Sequence, residues 1–117
     1  MSLALERPES MNRTEFHIIR ALLQEASRRE YAITVWDSAY DEYASRAIRR
    51  GTNYAKIFSA MASGESAYLE LYQTGVGRGY RARRGWILIL WGERDTIISD
   101  HSDTPEIKSL IHIAEAA

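Results

Sequence analysis

Between Asn12 and about Arg28 the apolar residues Phe16, Ile19, Leu22, Leu23 and Ala26 recur at helical spacing, one stripe that predicts an amphipathic helix. Asn12-Arg13-Thr14-Glu15 opens it in the manner of a capping box, with a side-chain acceptor followed three residues later by a glutamate. The next segment, Tyr31-Ala32-Ile33-Thr34-Val35-Trp36, is rich in β-branched and aromatic residues and short. A strand is expected there, ending at Asp37-Ser38 with a hairpin after it. Glu42 to Arg49 alternates less cleanly, with Tyr43, Ser45 and Ala47 on one side and Ala44, Arg46 and Ile48 on the other. That pattern permits a helix; the reading adopted is a second strand.

Gly51-Thr52 has the character of a stop and a new N-cap, and Tyr54, Ile57, Phe58 and Met61 then recur at helical intervals before Gly64. A short core-facing helix is predicted. Ser66 to Tyr72 places Ala67, Leu69 and Leu71 on one side and Tyr68, Glu70 and Tyr72 on the other, as a half-buried antiparallel strand does. Gln73 to Tyr80 carries Gly75, Gly77 and Gly79 and reads as a hairpin tip. Trp86-Ile87-Leu88-Ile89-Leu90-Trp91 is apolar on both sides, which predicts a central strand covered above and below. A turn over Gly92 to Asp95 and a brief strand over Thr96 to Ser99 follow. Thr104-Pro105 then caps a last helix whose stripe is Ile107, Leu110, Ile111 and Ala114. The order α-β-β-α-β-β-β-α, joined by hairpins rather than long crossovers, predicts an α+β fold: a mainly antiparallel sheet of four to five strands with an N-terminal helix, a short middle helix and a C-terminal helix.

The chain has 117 residues, 45% hydrophobic and 26% charged, which fits one folded domain, placed at 12–117. Residues 1–11 are read as a flexible tail, with Met11 as an alternative start. They lack the basic and apolar regions of a secretory signal, so a cytoplasmic location is expected. No run reaches the roughly 18 to 20 apolar residues of a membrane span, and no membrane partner is expected. With no cysteine in the sequence, disulfides, thiol catalysis and thiolate metal sites drop out together.

Charge adds one feature that the periodicity does not show. The net charge is −1, which argues against a general polyanion binder, but four arginines and no acid lie between Arg78 and Arg84, whereas five acids lie between Glu93 and Glu106. Arginine on a glycine-hinged tip offers a planar, multi-donor head for carboxylates or phosphates, and an interleaved tyrosine adds a stacking ring. The partner-binding candidates are therefore Arg78, Tyr80, Arg81, Arg83 and Arg84, together with Tyr68 and Tyr72 from the tyrosine side of the preceding strand. The competing expectation is a solvated hairpin whose arginines pair locally with Glu93, Asp95 or Glu70. Trp36, Trp86 and Trp91 are read as core.

Asp100-His101-Ser102-Asp103 gathers an acid, a base and a hydroxyl, yet neighbouring residues point apart and triads assemble from separated segments. A loop with cap hydrogen bonds is expected there. Asp95, Asp100, His101 and Asp103 lack the spacing of an EF-hand, and His17 and His112 lie on separate helices. The glycine-rich run precedes a strand rather than a helix, and no Gly-Lys-Ser/Thr follows it. No catalytic residue, metal or cofactor is assigned, and a noncatalytic protein is expected.

Gly85-Trp86-Ile87-Leu88-Ile89-Leu90-Trp91-Gly92 followed by Ile97-Ile98-Ser99-Asp100-His101-Ser102 resembles small phage and prophage proteins of unassigned function that pair a Gly-Trp-apolar strand with an Ile-Ser-Asp turn. Ala32 to Asp37 and the unit from Thr52 to Tyr72 fall in similar order, so Tyr31 to Ile111 is covered. The chain departs from that pattern in its longer Arg-Gly-Tyr insertion. The resemblance implies a mobile-element setting and a small α+β fold, and brings no catalytic residues. Two functions are expected from these features. The first is a noncatalytic binder of a host protein or ribonucleoprotein complex, such as a defence inhibitor of the anti-CRISPR type. The second is a nucleic-acid-binding module using the basic hairpin on phosphates. A monomer and a homodimer are both open.

Overall fold

A computed structural model of the chain describes residues 3–36, 46–77, 81–92 and 97–117. The fold is α+β, with the expected element order: α1 (Arg13–Arg28), β1 (Tyr31–Trp36), β2 (Arg46–Gly51), α2 (Tyr54–Ala62), β3 (Ser66–Gln73), β4 (Arg83–Leu90), β5 (Ile98–His101) and α3 (Pro105–Ala116). The strands form one five-stranded sheet in the order β2-β1-β3-β4-β5, antiparallel at every pair.

Each helix starts where the sequence supplies a cap. The Asn12 side chain accepts from the Glu15 backbone N–H and the Glu15 carboxylate accepts from the Asn12 backbone N–H, each at 2.8 Å, which closes the capping box of α1. Asn53 caps α2 in place of the expected Thr52, and Thr104 caps α3 with proline in its first turn. Glycine is needed where the β3–β4 connection turns: Gly75 and Gly77 take φ values of +80° and +52°.

The core is one cluster. Leu22, Leu23, Ile57, Met61, Ile107 and Leu110 from the helices meet Ile33, Val35, Leu69, Leu71, Ile87 and Ile89 from the sheet. Register explains why these strand residues share a side, because Val35 lies opposite Leu69 and Leu69 opposite Ile87. All three helices bury their stripes on this side of the sheet, so among the described residues no helix lies across the other.

Several boundaries differ from the sequence expectation. Among the described residues the second strand is Arg46–Gly51, ending two residues beyond the expected Arg49, and residues 37–45, with the expected start at Glu42, lie outside the described ones. β5 is Ile98–His101, ending two residues beyond the expected Ser99, and residues 93–96, which hold most of the expected turn and the expected strand start at Thr96, lie outside the described ones. The strand expected to be covered on both faces, β4, is covered on one: Ile87 and Ile89 are buried, whereas Trp86, Leu88 and Leu90 are half-buried. β4 is an interior strand, as expected, paired with β3 and β5, and β3 is the middle strand of the five. Within residues 3–11, part of the segment read as a tail, three apolar side chains pack while Ala4, Glu6, Arg7, Glu9 and Ser10 are exposed. Met11 is only 1% exposed, Leu3 and Leu5 lie against the core, and the Leu3 carbonyl accepts from Arg20 Nε at 3.1 Å.

Candidate interaction surface

The side of the sheet away from the helices is built by alternation. In β1, β3 and β4 the residues between the core positions are Thr34 and Trp36, Tyr68, Glu70 and Tyr72, and Trp86, Leu88 and Leu90. Register lines them up in rows: Trp36 opposite Tyr68, Tyr68 opposite Leu88 and Leu88 opposite Asp100; next to it, Thr34 opposite Glu70 and Glu70 opposite Trp86. Arg46 of β2 extends the first row, opposite Trp36. From edge to edge that row reads cation, indole, phenol, aliphatic, anion.

Glu70 organises the centre. Its Oε1 accepts from Trp36 Nε1 at 2.7 Å, and its Oε2 accepts from the Tyr72 hydroxyl at 3.4 Å and lies 3.4 Å from Arg83 Nη2. The rings are ordered around it: Tyr68 and Trp86 stack with centroids 5.7 Å apart and planes 29° apart. The Arg46 guanidinium carbon lies 5.4 Å from the Trp36 ring centroid, and that of Arg50 lies 4.0 Å from the Tyr72 centroid, both within cation–π range. Arg50 has a positive φ of +42°, a region that costs a non-glycine residue on the order of 1 kcal/mol, and its backbone N–H is held by Thr34 Oγ1 at 3.0 Å. The Tyr68 phenol is pushed above its ordinary pKa, first by burial among its neighbours and then by the Glu70 charge.

A bulge brings Arg83 to this surface. Leu71 lies opposite Gly85 and Tyr72 opposite Arg83, so Arg84 is an extra residue in β4. Simple alternation back from Trp86 would put Arg83 on the core side. The bulge reverses it, and the side chain reaches Glu70.

Of the residues expected to bind a partner, Tyr68, Tyr72 and Arg83 are brought together on this face. Arg78 and Tyr80 lie outside the described residues. Arg81 is exposed, and Arg84 turns back to donate from Nη1 to the Arg81 carbonyl at 3.1 Å. The picture of a finger whose guanidinium groups all stand clear of the sheet is thereby corrected at Arg83, which is 32% exposed and set against Glu70, and at Arg84, which bonds within its own hairpin. Trp91 is core, as read, at 1% exposure, but Trp36 and Trp86 are not: they are half-buried parts of the open face. The alternation that marked Tyr68 and Tyr72 also marked Trp36 and Trp86. Nothing in the sequence pattern marked Arg46 and Arg50.

The Asp100–Asp103 cluster does not converge. The Ser102 hydroxyl accepts from the Trp86 backbone N–H at 3.0 Å, His101 Nδ1 lies 3.0 Å from the Ser102 carbonyl, and Asp103 pairs with Lys108, which lowers its carboxyl pKa. Among the described residues no group of three or more acidic or histidine side chains is placed to hold a metal ion. No described helix is long and apolar enough to cross a membrane. Compared with protein-family models, curated proteins and solved structures, the chain matches none.

Proposed function

We propose that this chain is a noncatalytic binding protein that engages a host protein or ribonucleoprotein complex through the open face of its sheet. The observation that carries the reading is β4. Its sequence is apolar on both sides, yet Trp86, Leu88 and Leu90 have no helix over them among the described residues. Half-buried indoles and phenols beside arginine are the composition that dominates binding energy at protein surfaces. The mechanism is occupation: a rigid face competes sterically and electrostatically with whatever the partner otherwise binds. A phage or mobile-element setting, with inhibition of a host defence of the anti-CRISPR type, is what the resemblance of the Gly85–Gly92 strand and the Ile97–Ser102 turn adds to this proposal.

The test is affinity capture from host lysate with the wild-type protein and with Arg46→Glu/Arg50→Glu, each with and without nuclease. Loss of the same captured species from the double variant is expected. Unchanged capture by a folded double variant would remove the sheet face from the account.

A further inference from the structure

We infer that the open sheet face binds single-stranded nucleic acid, with the sugar–phosphate backbone over the β2 edge and bases on the rings of β1, β3 and β4. This rests on the reading of that face as the contact surface and adds the chemistry of what it grips.

The charge is graded across the sheet in the sense this requires. Arg46 and Arg50 stand on the β2 side and are exposed, while the described carboxylate at the centre, Glu70, is occupied by Trp36, Tyr72 and Arg83. Asp100 lies at the far end of the row, on β5. A polyanion approaching from the β2 side therefore meets guanidinium groups first and a neutralised carboxylate second.

The rings supply what a purely acidic partner would leave unused. Trp36, Tyr68, Tyr72 and Trp86 sit on three adjacent strands on one side of the sheet, with Tyr68 and Trp86 stacked on each other, so the face offers an existing stack that unpaired bases can extend. Each ring nearest β2 is accompanied by a guanidinium: Trp36 by Arg46 and Tyr72 by Arg50. Each guanidinium lies over its ring, so the outermost plane at both places is the arginine itself, a group that stacks on a base and donates to a phosphate. The backbone N–H of Arg50, in one of these pairs, is held by Thr34 Oγ1. A duplex, whose bases are already stacked on one another, cannot use the rings.

Fluorescence anisotropy with a labelled oligouridylate or oligothymidylate of about ten nucleotides, within the roughly 4 to 16 that one small module covers, tests this. Binding is expected at low salt, with an affinity that falls with log salt at a slope of about −1.4, as two phosphate contacts give on a single strand. Arg46→Ala/Arg50→Ala should weaken it about tenfold or more and flatten the slope. Trp86→Leu, which keeps an apolar side chain on the strand and leaves both arginine–ring pairs in place, should weaken it about tenfold while leaving the slope unchanged. A duplex and a polyglutamate peptide should both fail to displace the oligonucleotide.

No binding at low salt, equal displacement by duplex or by polyglutamate, or indifference to both sets of variants would overturn the inference. If the oligonucleotide does not bind but Arg46→Glu/Arg50→Glu still abolishes lysate capture, the face is a protein dock and only the nucleic-acid assignment fails. If capture also survives the double variant, both fail.

Discussion

Trp36 and Glu70, on neighbouring strands β1 and β3, are joined by a 2.7 Å hydrogen bond from the indole Nε1 to Oε1. The same carboxylate faces Arg83, so one acidic side chain holds a ring from β1 and a guanidinium from β4 on a single surface. Glu70→Gln keeps an acceptor for the indole and removes the charge opposite Arg83. A loss of about 1 kcal/mol is expected in urea unfolding, at the upper end of exposed ion pairs because both side chains are partly covered. The variant should also lower the pKa of Tyr68, whose rise owes its second contribution to Glu70, as read from phenolate absorbance. Burial, the larger cause, would keep it above the ordinary value.

Gly85 is the position in β4 that cannot take a side chain. Its φ is +150°, and a Cβ there would fall inside contact distance of Ser102 Oγ and 2.5 Å from Ile107 Cγ1. Ile107 is fully buried at the start of α3, and Ser102 Oγ holds the Trp86 backbone N–H, so neither can yield without cost. Gly85→Ala is expected to destabilise by about 2 kcal/mol or more, seen as a lower denaturant midpoint with an unchanged slope.

Glu15, 1% exposed, serves two backbone donors at once: Oε1 accepts from the Asn12 N–H and Oε2 from the Gly92 N–H, both at 2.8 Å. It ties the first turn of α1 to the end of β4. Glu15→Ala should cost about 2 to 3 kcal/mol, combining a lost cap with an orphaned amide. Amide hydrogen exchange at Gly92 should accelerate more than at positions of β3, a difference that a general loss of stability would not produce.

Acid should weaken the fold through Glu25. The Arg28 guanidinium, donating from Nε at 2.5 and 2.7 Å, holds this carboxyl below its ordinary value of 4.5, with the Arg28 and Arg29 charges adding to the effect and burial opposing it. A group whose pKa is depressed by folding contributes stability above its unfolded value and loses it as pH falls through the folded one. The urea midpoint is therefore expected to drop as pH is lowered from 6 into the range below 4.5. Arg28→Ala should make that drop shallower.

Helical spacing in Asn12–Arg28, Tyr54–Met61 and Ile107–Ala114, and two-residue alternation in Ser66–Tyr72, determined the element types, their order and the α+β class. These are local properties: a stripe or an alternation is legible because one side of each element must leave water. The same logic placed Tyr68 and Tyr72 together before any coordinates. The tertiary structure alone decided what lies beyond each element's own pattern. Strand order and register set Trp36, Tyr68 and Trp86 side by side and put β3 in the middle of the five strands. The bulge at Arg84 turned Arg83 toward Glu70, and the irregular β1–β2 pairing laid Arg46 and Arg50 over rings ten or more residues away in sequence. Periodicity reports which way a side chain points within its own segment. Which strand lies next to it, and whether a helix covers it, depends on contacts between segments far apart in the chain.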